Sequence, residues 1–345
     1  MPTILAFGYH DQSAPRHWNI CKQLQSEGHD VIECHTVQKG LVKKYRDLWK
    51  KYRNLQPTTP LRQGSAGQAY NLQPILVTFP GHYLVPLAWF LTRRPRKKFI
   101  FDAFISLYDT NVCDRKRYAK WNPIAWLLFC VDFISCHLAD EVLIDTEEHK
   151  KYFVKMFKLK PKKIRVIYLG TRDDLFIPKN KNLQLHHNVL FYGTYIPLQG
   201  IEHIIEAAKI LQETHPDIHF TLVGRGQTYP EMRALADNLK LKNITFKDPV
   251  PYEELPDLIR GSHLCLGVFG TTAKASRVIP HKVFDAVGCA VPIITADTPA
   301  IREKFANNKG VILCQAGSGK ALATAISNYF STTKSPITSA SKPEQ

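Results

Sequence analysis

The sequence predicts an α/β protein built from two doubly wound halves. Three observations predict it. Short strand-like runs alternate with helix-period segments, the pattern of parallel sheets covered by helices. The alternation lapses near residues 171–187 and then restarts, so two sheets are expected. The length of 345 residues suits two domains of ordinary size.

In the first half, residues 3–8 read as a buried strand. Residues 16–27 carry Trp18, Ile20, Cys21 and Leu24 at helical spacing and stop at Gly28. Residues 30–34 form the second strand of a βαβ unit. Residues 40–54 read as a helix in which Leu41, Val42, Tyr45, Leu48, Trp49 and Tyr52 interleave with six Lys and Arg. Residues 55–72 read as a mobile polar loop. A strand over 74–79, a helix ending at Arg93 and a strand over 99–104 follow. An apolar helix spans 122–139 and a strand 141–144, with Asp145 or Thr146 capping the next helix. A strand over 164–168 closes the half.

In the second half, strands are expected at 189–192, 219–223, 244–246, 264–268 and 291–295. Helices are expected at 201–213, 231–239, 252–259, 282–287 and 318–330. The domain bounds so read are 1–170, a linker at 171–187, and 188–331. The Ser/Thr/Lys/Pro-rich residues 332–345 read as a disordered tail.

Charge is the compositional anomaly, with 46 Lys and Arg against 30 Asp and Glu, a formal +16. Residues 1–170 hold 27 of the cations and only 14 of the anions. No acidic residue occurs between Asp47 and Asp102. A basic half calls for a polyanionic partner: nucleic acid, an anionic membrane surface or phosphorylated substrates. The eight cysteines show no C-x-x-C pair and form no tight cluster with histidine. They read as reduced, mostly buried thiols, with no zinc site expected. The N-terminus lacks the pattern of a secretory signal. The longest apolar stretch, 124–138, is too short to span a bilayer and contains Asp132.

Ligands of doubly wound sheets bind beyond the carboxyl ends of strands, so candidate residues are sought there. Gly193 and Thr194 follow one strand, and Gly224, Arg225 and Gly226 follow another. Each glycine junction is either a close backbone approach to a ligand or a plain turn. Lys274, Arg277, His281 and Lys282 cluster where a loop enters a helix behind Pro280, an arrangement suited to a diphosphate. Asp285, three residues after Lys282, is placed to accept from ribose hydroxyls. The competing reading is a solvated helix start with a structural Asp–Lys pair. In the first half, Gly8 would let its loop approach phosphates or an acceptor, with a structural turn as the alternative. His10, Asp11, Arg16 and Arg115 are candidate acceptor contacts, and His82, Asp109 and, from the second half, Arg277 are candidate catalytic groups. Asp102 reads as a buried, satisfied carboxylate.

The stretches "LFYGTYIPLQGIEHIIEAAKIL", "FTLVGRG", "VPYEELPDLIRGSHLCLGVFG", "VIPHKVFDAVGCAVPIIT" and "GVILCQAGSGKALATAI" resemble, in order and spacing, the nucleotide-binding domain of retaining glycosyltransferases of family 4. That resemblance covers about residues 165–330. It implies the GT-B fold, two Rossmann-like domains facing each other across a cleft. It further implies an NDP-sugar in the second domain and an acceptor in the first. The family's E-x7-E pair falls here on Arg277 and Asp285. Its phosphate-contacting Arg and Lys fall on Thr194 and Gln199. Arg277 cannot accept a hydrogen bond, so Lys274 and Arg277 are expected to neutralise the diphosphate instead.

Retaining transfer of this kind needs no side-chain nucleophile. The departing phosphate takes the acceptor's proton, and the protein supplies positioning and electrostatics. No D-x-D occurs, so no cofactor is expected and full activity should persist in excess chelator. Segments 41–53 and 93–98 are expected to meet an anionic membrane surface, against a reading in which they pack on the sheet. Nucleic acid is not expected, since no nucleic-acid module is present. The reading is a peripheral enzyme on the cytoplasmic face of a membrane, acting on a lipid-linked or membrane-borne glycan. The alternatives are a nucleotide-sugar hydrolase or epimerase and a non-catalytic sugar-nucleotide-binding protein.

Overall fold

A computed structural model describes residues 3–55, 74–93, 96–179 and 187–332. The expected loop at 55–72, the tail at 332–345 and part of the 93–98 run lie wholly or mostly outside these. The chain divides into two compact units, Met1–Arg172 and Asp173–Gln345.

The first unit runs β1 (Thr3–Gly8), α1 (Pro15–Ser26), β2 (Asp30–His35), α2 (Leu41–Leu55), β3 (Ile75–Val77), α3 (Val85–Leu91), β4 (Phe99–Asp102), α4 (Pro123–Leu138), β5 (Glu141–Ile144), α5 (Glu147–Phe157) and β6 (Ile164–Val166). All strand pairings are parallel, in the order β2-β1-β3-β4-β5-β6. Strand side chains alternate between faces. Leu5, Phe7, Ile75, Val77, Phe99 and Phe101 pack with α2, α3, α4 and α5. The intervening Ile4, Leu76, Ile100 and Leu143 pack with Ile20 and Leu24 of α1. Both faces are therefore covered, which is why these strands read as unbroken apolar runs.

The helix starts follow local chemistry. Asn122 accepts from the Ile124 amide ahead of Pro123, and Thr146 accepts from the His149 amide. Of the two expected caps for α5, Thr146 serves, while Asp145 bonds Nδ1 of His149 at 2.7 Å. The helix expected up to Arg93 is shorter. It is a 3-10 turn, His82–Leu84, followed by α3 ending at Leu91. A π-helical turn, Asp109–Asp114, was not foreseen.

The second unit runs β7 (His187–Tyr192), α6 (Ile201–Thr214), β8 (Ile218–Val223), α7 (Tyr229–Asn238), β9 (Ile244–Lys247), α8 (Leu255–Arg260), β10 (Leu264–Leu266), α9 (His281–Gly288), β11 (Ile293–Ala296), α10 (Pro299–Phe305), β12 (Val311–Cys314) and α11 (Gly319–Thr332). Its parallel sheet has the order β12-β11-β10-β7-β8-β9, the Rossmann order with its switch point between β7 and β10. The β12 strand and α10 were missed in the sequence. β12 is four residues at the sheet edge, with Ile312 and Leu313 only half-buried, and α10 is seven residues behind a Thr298 cap. All eight cysteines are free, five of them buried.

Candidate active site

The switch point of the second unit gathers the loops after β7 and β10. Gly193 ends β7 at φ +146° and Gly224 ends β8 at φ +137°. A Cβ on Gly224 would meet the Gly193 carbonyl oxygen at 2.0 Å, so glycine is required for the two strand ends to lie together. Gly226 forms a parallel bridge with Tyr195 one step further on. Beyond these ends lies a cavity of about 200 Å³ lined by Gly193, Thr194, Gly224, Arg225, Val250 and Leu255, among others. Thr194 is exposed. Arg225, on the rim, pairs with Asp248 at 2.7 Å and stacks on Tyr229 at 3.9 Å.

From the other side, the loop after β10 carries Lys274 and a 3-10 turn, Ala275–Arg277. Ala275 and Val278 pack on Leu198 of the loop after β7, which brings the two loops together. The helix α9 then starts at His281, with Pro280 at its N-cap and no side-chain cap. Its inward face carries Lys282 and Asp285, at 5% and 1% exposure. Lys282 Nζ donates to Gln199 Oε1 at 2.7 Å and lies 3.8 Å from the Phe191 ring centroid. A Cβ on Gly193 would lie 3.2 Å from the same Nζ. Asp285 accepts from the Tyr192 hydroxyl at 3.1 Å. Burial holds the Lys282 ammonium well below its usual range, so an arriving anion would stabilise its charged form.

One result was not foreseen. Gln199 occupies the position where the resembling family has a phosphate-contacting lysine, and the Lys282 ammonium sits against that side chain. A cation absent at 199 is thus present beside it, reached from α9. The sequence places Lys282 in the diphosphate cluster with Lys274 and Arg277, but not its contact with Gln199. Lys274 and Arg277 belong to the adjoining loop, Lys274 buried and Arg277 half-buried.

In the first unit the structure gives several candidates structural partners. Arg16 is 4% exposed, and its Nη2 donates to Asp102 Oδ1 at 2.7 Å. Its Nη1 donates to the Ile167 carbonyl. The guanidinium therefore ties α1 to the sheet rather than being offered to an acceptor. His82 is buried, and its Nε2 donates to the Ile105 carbonyl at 3.2 Å. Asp11 accepts from the amide and hydroxyl of Ser13 and lies exposed. Asp109 is buried at the start of the π-helical turn, and Arg115 follows its end, half-buried. Gly8 lies under a contact of 2.6 Å between His10 Nδ1 and Thr78 Oγ1. A Cβ there would meet Thr78 Oγ1 at 2.4 Å, so Gly8 is required by this packing.

Asp132, in the middle of apolar α4, turns out to organise the loop after β4. It accepts from the Ser106 hydroxyl at 2.6 Å and the amides of Leu107 and Tyr108 at 3.0 and 2.9 Å. Burial lifts its carboxyl to about 6 and holds His82, 3.5 Å away, down to about 4. The two act oppositely on stability. His82 is neutral in the fold, so stability is lost as pH falls from 6.5 towards 4. Asp132 binds its proton more tightly in the fold, so its contribution is lost as pH rises through about 6. His82→Gln keeps a donor for Ile105 and removes the titration. It should therefore reduce the loss of stability between neutrality and pH 4, read from urea midpoints at both ends. An unchanged loss would contradict the assignment.

Residues 172–337 match the family described as glycosyl transferases, group 1. That match takes in most of the second unit, which is therefore similar to a group 1 glycosyl transferase domain. Over 127 residues, 35% of this chain and 27% of the relative, the chain is 24% identical to a chitobiosyldiphosphodolichol beta-mannosyltransferase of Yarrowia lipolytica. The first three curated relatives are matched over only 27%, 45% and 56% of their own length. In structure the chain resembles sucrose-phosphate synthase from Thermosynechococcus elongatus, with TM-score 0.68 and 15% identity over 96% of this chain and 90% of that one. It also resembles Anabaena HepE in complex with UDP, with TM-score 0.63 and 14% identity over 97% and 91%. These likenesses establish the fold: two Rossmann-like units in one chain, as the GT-B resemblance implies.

Proposed function

We propose that this protein transfers a glycosyl group, with retention, from a nucleoside-diphosphate sugar to a lipid-linked or membrane-borne glycan acceptor. The observation that carries the reading is the buried Lys282 ammonium, held beside Gln199 and Gly193 at the switch point of a unit similar to a group 1 glycosyl transferase domain. The bond from the anomeric carbon to the diphosphate oxygen breaks and the acceptor hydroxyl bonds to that carbon on the same face. Its proton passes to the departing phosphate oxygen. Lys282, the α9 N-terminus, Lys274 and Arg277 stabilise the negative charge that develops on the diphosphate. The cavity by Gly224 and Val250 takes the nucleoside, and Asp285 is the carboxylate nearest the ribose role. No divalent cation is needed at the diphosphate, so turnover without added Mg2+ or Mn2+ should equal turnover with either.

The acceptor reading is supported by the relatives that act on chitobiosyldiphosphodolichol and by the outer surface of the first unit. On α2, Leu41 and Val42 are exposed, and Trp49 meets the exposed Phe90 of α3. On α4, Trp126 is 67% exposed and Leu127 58%. An open pocket of about 430 Å³ is lined by Arg93, Arg96, Lys97, Lys160, Lys162 and Lys163 together with Trp89. Exposed apolar side chains and a cation-lined pocket on one unit suit lipid with anionic headgroups. Among the described residues no helix is long and apolar enough to cross a membrane. This surface would hold the protein at the cytoplasmic face. The double replacement Lys160→Ala with Lys162→Ala should weaken co-sedimentation with anionic vesicles about thirtyfold at low salt, from about 1 kcal/mol per cation. Undiminished sedimentation would remove the membrane assignment.

The deciding assay measures nucleoside diphosphate released from a panel of NDP-sugars, with and without a membrane lipid extract. Release that needs the extract supports the transferase. Release without it indicates a hydrolase, and none across the panel indicates a binder.

A further inference from the structure

Two histidines and a glutamate in the first unit are not used by the transfer chemistry. His10 lies in the loop after β1, His17 in the first turn of α1 and Glu33 on β2. Nε2 of His10 is 2.9 Å from one Glu33 oxygen and Nε2 of His17 is 2.8 Å from the other. The two imidazoles are stacked, with centroids 4.1 Å apart. The donor atoms of all three residues lie within 4.8 Å of one another. Cys21, one turn beyond His17, places Sγ 3.4 Å from the same Nε2. Both histidines are buried, whereas the Glu33 side chain is 30% exposed and leaves a way in.

We propose that His10, His17 and Glu33, with Cys21 as a fourth donor, form a binding site for Zn(II). The two stacked imidazoles each bring one nitrogen to a different oxygen of the same carboxylate, which gathers three metal-ligating groups within 4.8 Å. A mixed nitrogen, oxygen and sulfur set selects zinc over magnesium or calcium, which take oxygen ligands. Tetrahedral zinc at bond lengths of about 2.0–2.3 Å separates its donors by about 3.3–3.8 Å. The His10–Glu33 and His17–Glu33 separations of 2.9 and 2.8 Å need only small outward shifts, and Cys21 Sγ, 3.4 Å from His17 Nε2, would turn towards the other donors to close the set. Thr78 contacts the remaining nitrogen of His10 and orients its ring, as outer partners of metal-bound histidines do. The site opens beside the switch point between β1 and β3, where ligands of such sheets collect. Zinc there would join three separate elements and order the loop after β1. A His10 so held is not an acceptor contact. The proposal is independent of the transfer reading, and either can fail alone.

The test uses the full chain, stripped by dialysis against a chelator and titrated with Zn(II) in competition with a chromophoric chelator. One equivalent should bind with a dissociation constant below about 1 μM, and the melting temperature should rise with zinc. Glu33→Gln and His17→Gln should each weaken binding at least about tenfold, the lower range for disturbing even an outer partner. His187→Ala, at the start of β7 in the second unit, should leave zinc binding unchanged. Co(II) in the unaltered chain should give tetrahedral visible absorption. Cys21→Ser should remove its near-ultraviolet sulfur charge-transfer band. Absence of both binding and the cobalt spectrum in the unaltered chain would overturn the proposal, as would binding indifferent to Glu33 and His17. The carboxylate would then be a proton-bridged partner of the two histidines.

Discussion

Lys282→Met should lower turnover of the NDP-sugar about 10²–10³-fold, the range for removing one preorganised charge or donor from a developing anion. Lys282 is almost wholly buried, so its ammonium acts in a site with little water to screen it. Its direct partners are the Gln199 amide and the Phe191 face, while the buried Asp285 carboxylate on the same helix favours its charged form. Methionine keeps the apolar stem against Phe191 and removes the charge together with the donor to Gln199, so the helix and sheet should persist. Lys274→Ala and Arg277→Ala test the adjoining cations. A loss of donor affinity in either would show that the charge is shared, and unchanged affinity in both would assign it to Lys282. The readout is kcat and KM from released nucleoside diphosphate. A change of less than tenfold in kcat/KM for Lys282→Met would refute its role at the diphosphate.

Arg16→Ala should destabilise the first unit by about 3–5 kcal/mol, because it leaves the Asp102 carboxylate buried and unpaired. Asp102 is 1% exposed and faces both Nε and Nη2 of Arg16, at 3.2 and 2.7 Å from Oδ1. Arg16→Lys should recover part of the loss, since a single ammonium cannot reproduce the fork that also reaches Ile167. Arg16→Met combined with Asp102→Leu should recover most of it, because no buried charge is then left uncompensated. Urea denaturation followed by circular dichroism checks all three. A cost below about 1 kcal/mol for Arg16→Ala would show that water reaches Asp102.

The misreadings have common physical causes. Asp102 was read correctly as a satisfied buried carboxylate, but its partner Arg16 lies 86 residues away on α1, and nothing local joins them. Asp132 was read only as a charge within the longest apolar stretch, and it is the acceptor for three groups of the 106–108 loop. A carboxylate in an otherwise apolar helical run was the available signal. His17 and Cys21 stand four apart on α1, but His10 and Glu33 carry no spacing that joins them to that pair, because the four meet across two strands and a helix. The Gln199–Lys282 contact likewise joins residues 83 apart.

The sequence by itself determined the alternation of strands and helices, the restart that makes two sheets, the glycine junctions and the basic first half. These follow from local hydrophobic period, turn chemistry and composition, which act over a few residues at a time. Only the tertiary structure decided which residues meet: Lys282 at Gln199, Arg16 at Asp102, and two histidines at Glu33. Parallel sheets join neighbouring strands by long crossovers, so side chains at adjacent strand ends are far apart in the chain. Their pairing is set by strand order, and no local pattern carries that order.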